Sequence, residues 1–119
     1  MVDMSKSVIV IDDDEDTVRL FIEFLEENKI NVVGSGFDGI TAVKLFKETK
    51  PDVVLIDLNM PNGSGFYAIN KIQEINPKAC IIAVTADGSY DTEEKLEKLN
   101  IPLIQKPFKM DQIISIINN

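Results

Sequence analysis

Five times along this chain a short apolar run is followed by a stretch at helical spacing, and that alternation leaves few folds open. Ser7–Ile11 reads as a buried strand. Asp16–Asn28 follows as a helix, with Val18, Phe21, Ile22 and Leu25 on one face. Strand Ile30–Val33 then precedes helix Asp38–Lys47, whose Ile40, Val43, Leu45 and Phe46 are apolar. Strand Asp52–Ile56 leads through the loop NMPNGSG to helix Phe66–Ile75. Strand Ala79–Val84 is followed by a weakly apolar helix, Thr92–Leu99, and strand Leu103–Ile104 by helix Met110–Ile117. Alternation of this kind argues for a parallel sheet with helices on both faces. Right-handed crossovers prune the remaining topologies. The expected fold class is α/β, a doubly wound three-layer sandwich of five parallel strands. A single domain is expected over residues 1–119.

Charge narrows the function. The net charge of −8 repels phosphate backbones, so no direct nucleic-acid binding is expected. The chain has no histidine, which excludes histidine acid–base chemistry, histidine metal ligands and a phosphohistidine of its own. One cysteine, Cys80, cannot form an internal disulfide and suits a reducing compartment. No apolar run approaches ~18 residues and nothing resembles a signal peptide, so no membrane association and a cytoplasmic location are expected.

The acids are concentrated in VIVIDDDEDT, at the end of the first strand. Asp12, Asp14, Asp16 and Glu23 match a calcium loop literally, but Thr17 stands where that loop needs Gly. A strand also precedes it where a helix is required. A second literal match, GSGFDG, has dinucleotide-binding spacing at Gly34, Gly36 and Gly39. It follows the second strand rather than the first, and the plainer reading is a glycine-rich turn with positive-φ positions.

A third cluster is visible only through the topology. Asp12 and Asp13 end strand one, and Asp57 ends strand three. Those strands are neighbours in a doubly wound sheet, and ligands sit outside the carboxyl ends of its strands. Clustered carboxylates require a cation or a proton. Oxygen-only donors favour a hard ion, Mg2+ first. Asp14 and Asp16 are assigned instead to capping the first helix. Thr85 ends strand four and Lys106 follows strand five. Carboxylates, a hydroxyl and an ammonium at one edge suit phosphoryl transfer with a carboxylate nucleophile.

These motifs, VIDDDED, VVLIDLNMPNGSG, AVTA and QKPF, resemble in order and spacing the receiver domain of two-component response regulators. The resemblance covers nearly the whole chain. It implies a flavodoxin-like (βα)5 fold with strand order 2-1-3-4-5. It implies Asp57 as phosphoacceptor, taking a phosphoryl group from the phosphohistidine of a sensor histidine kinase or histidine phosphotransfer protein. Asp13, Asp57 and the backbone carbonyl of Asn59 are then Mg2+ ligands, with Asp12 acting mostly through a metal-bound water. Thr85 and Lys106 bind phosphoryl oxygens, while Met60, Pro61 and Gly65 shape the acceptor loop. The implied role is a signalling module that catalyses only its own phosphorylation and dephosphorylation, and acts on a downstream protein target or output domain.

Two departures stand out. Leu103 occupies the place where the family usually has Tyr or Phe, which implies an altered switch. The stretch from Thr85 to Lys106 is one residue short, most simply at LNIP. Asn59 and Asp87 hold the positions where the family tunes phosphoryl lifetime. A competing resemblance is to haloacid-dehalogenase-type phosphatases, through Asp14 and Asp16 in DEDTV. There the first Asp directly follows the strand, whereas Asp14 lies two residues late.

Overall fold

The computed structural model describes residues 6–61, 64–86 and 88–118. Its strands are β1 (Ser7–Ile11), β2 (Asn31–Gly36), β3 (Val53–Asp57), β4 (Cys80–Thr85) and β5 (Leu103–Gln105). The helices between and after them are α1 (Glu15–Glu27), α2 (Gly39–Thr49), α3 (Ser64–Ile75), α4 (Tyr90–Lys98) and α5 (Met110–Asn118). All four strand pairings are parallel, and the sheet order is β2-β1-β3-β4-β5, as the alternation and the resemblance predict.

The two-residue period of the strands divides the core into two layers. Ile9, Ile11, Val54, Ile56, Ile81 and Ala83 face one side. There they meet Ala42 and Phe46 of α2, Ala68, Ile69 and Ile72 of α3, and Leu96 of α4. Val8, Val10, Val53, Leu55, Ile82 and Val84 face the other side, against Val18, Phe21 and Leu25 of α1 and Ile113 and Ile117 of α5. Burial on both faces explains why β3 and β4 read as unbroken apolar runs.

The helix starts have local causes. Asp14 caps α1, its carboxylate accepting from the Thr17 N–H at 3.3 Å and the Thr17 hydroxyl at 2.5 Å. Asp38 caps α2 through the Thr41 N–H at 2.7 Å, and Ser89 caps α4 through the Thr92 N–H at 3.3 Å. Lys50, in the left-handed region at φ 46°, closes α2.

One expectation is corrected. GSGFDG does not open as a glycine-rich turn: β2 runs on through Gly34 to Gly36, and neither glycine lies in the left-handed region. Their function is close packing. A Cβ on Gly34 would press on Leu45, and one on Gly36 would strike Thr41, both in the helix that crosses β2. Gly39 similarly lies against the backbone of Ser64, where α2 meets α3. A strand that must admit a helix this closely gives up its side chains, and so loses the apolar signature of a strand.

Candidate functional site

The register of β1, β3, β4 and β5 assembles a pocket at the carboxyl edge of the sheet. Ile11 lies beside Ile56, so Asp12 and Asp57, the next residue of each chain segment, emerge side by side. Asp57 is also level with Val84, and Thr85 with Gln105. The Lys106 N–H donates to the Thr85 carbonyl at 2.8 Å, fixing the root of the lysine next to the end of β4. Its ammonium then reaches back to Asp57 Oδ2 at 3.0 Å and lies 4.0 Å from Asp12 Oδ2.

Asp12 is 2% exposed, Asp57 4% and Thr85 0%, whereas Asp13 faces solvent. Oxygens of Asp12, Asp13 and Asp57 come within 4.8 Å of one another. Asp12 Oδ1 accepts the Asp14 N–H at 2.9 Å, but buried Asp12 Oδ2 has no hydrogen-bond partner among the described residues. A buried carboxylate oxygen facing two more carboxylates is costly unless something positive meets it. The oxygen-only donor set suits a hard divalent cation such as Mg2+. Burial, followed by the nearby Asp57 carboxylate, pushes the Asp12 pKa up to about 7, while the Asp14 N–H and Lys106 pull the other way.

That shift has a measurable consequence. Between the ordinary carboxyl value of 3.8 and about 7, folded Asp12 keeps a proton that the unfolded chain releases. Stability in the absence of divalent cations therefore falls as pH rises through that window, and the loss is complete above it. Asp12→Asn is expected to match the parent near pH 4 and to exceed it by about 2 kcal/mol above pH 7, at roughly 1.4 kcal/mol per unit reduced for solvent screening. Added Mg2+ should narrow the gap. Urea melts across pH, with chelator and with Mg2+, check this; a gap independent of pH contradicts it.

Around the pocket the loop residues have visible duties. Gly65 faces the Asp57 carbonyl and Leu58, with a Cβ there 3.1 Å from that carbonyl oxygen. Met60 is buried in the layer beneath α2 and α3. Asn59, expected only for its backbone carbonyl or for phosphoryl lifetime, does something the sequence did not reveal. Its N–H donates to Asp57 Oδ1 at 2.7 Å, and its side-chain oxygen accepts from the Ala86 N–H and from the Thr85 hydroxyl at 3.2 Å. No sequence period signals bonds from one loop to the distant end of β4. Asp87 lies outside the described residues, as do Asn62 and Gly63 of the acceptor loop. Leu103 is half-buried against the layer beneath α4 and lines a hollow of about 460 Å³ with Leu96, Ile101 and Pro102.

The carboxylates of Asp14 and Asp16 do not belong to the pocket. Asp14 is taken by its cap, and Asp16 lies 3.7 Å from Arg19 on the exposed side of α1. The phosphatase signature therefore dissolves into a helix start.

A doubly wound sheet with an acidic, lysine-paired cluster at its carboxyl edge is the arrangement expected of the receiver family that the sequence motifs resemble. The family model described as the response regulator receiver domain matches residues 8–118, and the chain belongs to that family. It is thus a receiver domain of two-component signal transduction, a signalling module. The chemotaxis protein CheY of Halobacterium salinarum is 32% identical, the match covering 98% of this chain and 97% of that protein. An uncharacterized transcriptional regulatory protein of Bacillus subtilis, YhcZ, is 38% identical over 88% of this chain and 47% of that protein. Among solved structures, the receiver domain of a Francisella response regulator superposes with a TM-score of 0.86 at 28% identity, covering 96% of this chain and 94% of that one. Receiver domains as a group depend on Mg2+ and interact with sensor kinases and downstream targets. Among the described residues, no helix is long and apolar enough to cross a membrane.

Proposed function

We propose that Asp57 accepts the phosphoryl group, with Asp12, Asp13, Asp57 and the Asn59 carbonyl holding Mg2+ and with Thr85 and Lys106 binding phosphoryl oxygens. The observation that carries this is the buried Asp57 carboxylate, 3.0 Å from the Lys106 ammonium and within 4.8 Å of two further acids. An Asp57 carboxylate oxygen attacks phosphorus and forms a P–O bond. The donor's P–N bond breaks, and the phosphohistidine of a sensor kinase or phosphotransfer protein leaves as imidazole. When bound, Mg2+ neutralises the acids and screens the approaching phosphate. Lys106 compensates charge on the oxygens of the group in flight, and the Thr85 hydroxyl donates to one of them. The buried floor of β1 and β3 fixes the acceptor so that little reorganisation is required.

The product is one acyl phosphate on one domain, spanning residues 1–119, that acts on no other substrate. Its new charge draws Lys106 and Thr85 inward and shifts the chain between two states, which a downstream protein in the cytoplasm reads. Incubation with a small phosphoramidate and Mg2+ tests the reading. Intact-mass measurement should show a single phosphoryl group gained per chain, removed by hydroxylamine and absent under chelation. Continuous hydrolysis of varied phosphate esters would contradict it.

A further inference from the structure

We infer that the Asn59 side chain is a built-in competitor of the phosphoryl group: it keeps the Thr85 hydroxyl and the Ala86 N–H on its own amide oxygen until a phosphoryl oxygen takes them. The inference rests on the reading of Asp57 as acceptor and adds a residue that sets the energy of its switch.

The geometry is specific. The Ala86 N–H can be met only by the amide oxygen of Asn59, never by its NH2, so the side chain has one usable orientation. That same oxygen accepts from the Thr85 hydroxyl at 3.2 Å. The backbone of Asn59 is held separately, by its N–H on Asp57 Oδ1 at 2.7 Å. One residue therefore touches the acceptor carboxylate with its main chain and the end of β4 with its side chain. Asn59 and Ala86 are both exposed, so the tie is made in partial contact with water. Its net worth is modest, as a replaceable contact requires.

Each of the two donors has one hydrogen to give. A phosphoryl oxygen arriving on Asp57 within reach of Thr85 and Ala86 must displace the Asn59 oxygen to receive those hydrogens. A charged oxygen is the stronger acceptor, so the exchange runs toward the phosphoryl group. Yet the bonds surrendered are subtracted from those gained, and only the difference biases the two states. Asn59 thereby holds the end of β4 in its unphosphorylated arrangement and lowers the affinity of the pocket for phosphoryl oxygens.

Amide hydrogen exchange and titration with beryllofluoride, a phosphoryl mimic that binds carboxylates with Mg2+, test this at equilibrium, free of phosphoryl lifetime. In Asn59→Ala the Ala86 amide should exchange about tenfold faster, and beryllofluoride should bind about three- to tenfold more tightly, the range of one hydrogen bond. Asn59→Asp retains an acceptor oxygen and should keep the Ala86 amide slow. Unchanged exchange in Asn59→Ala overturns the inference, as does beryllofluoride affinity that is unchanged or weaker. A parent protein that binds no beryllofluoride, or an Asp57→Asn variant that still binds it, overturns the acceptor reading instead and the inference with it.

Discussion

Asp57→Asn is expected to abolish phosphoryl uptake while leaving the fold intact. Asparagine has almost the shape of aspartate, so the packing at the end of β3 survives, and its single amide oxygen can still accept from one of the two donors, Lys106 or the Asn59 N–H, that now meet separate carboxylate oxygens. What disappears is the nucleophile, since a neutral amide oxygen does not displace imidazole from phosphorus. Neighbouring acids do not substitute for it. Asp12 is as buried, but its Oδ2 is 4.0 Å from Lys106 where Asp57 Oδ2 is at 3.0 Å, and Asp13 faces solvent. The same change removes one of two adjacent buried carboxylates. The pKa of Asp12 should then drop from about 7 while staying above the ordinary carboxyl value, because burial is its largest cause and remains. Intact-mass measurement after exposure to a small phosphodonor reads the first effect, and a pH titration of the Asp12 carboxyl resonance reads the second. Uptake at the parental rate would remove Asp57 from its role.

How far such a site can be read from sequence depends on which interactions build it. Asp12 and Asp57 were legible because strand ends in a doubly wound sheet are predictable places, and two apolar runs each ended in an acid. Lys106 and Thr85 followed by the same logic. The separation of Asp14 and Asp16 from the cluster was legible too, since an acid just before a helical pattern is a cap by default. Gly34 and Gly36 misled because local propensity favours a turn there, while tertiary packing required a bare strand under Thr41 and Leu45. Ile40 looked like part of the apolar set of α2 but is 73% exposed; Ala42 and Phe46 carry the burial. The Asn59 side chain was out of reach altogether. Its partners lie more than twenty residues away, at and just after the end of β4, where their approach depends on the whole sheet.

Removing the ammonium should have the second largest effect. Lys106→Met keeps the aliphatic stem, which packs where the lysine chain now runs, and deletes only the charge and its donors. Rate should suffer more than folding. As phosphorus passes from imidazole to Asp57, negative charge sits on oxygens that Lys106 would face, and no solvent rearrangement substitutes for a cation already in place. Uptake from a small phosphodonor at saturating Mg2+ is expected to slow by about 10²- to 10³-fold, the usual consequence of losing one preorganised charge-stabilising donor. Lys106→Arg should recover part of the rate. It restores the charge, but a planar fork replaces a compact ammonium whose reach to Asp57 Oδ2 is 3.0 Å. Lys106→Met also leaves Asp12 and Asp57 without their salt-bridge partner, so the Asp12 pKa should move further up and the Mg2+ dependence of stability should steepen. Progress curves by intact mass decide the matter: a Lys106→Met rate within about threefold of the parent would mean that the lysine binds the finished phosphate without assisting its arrival.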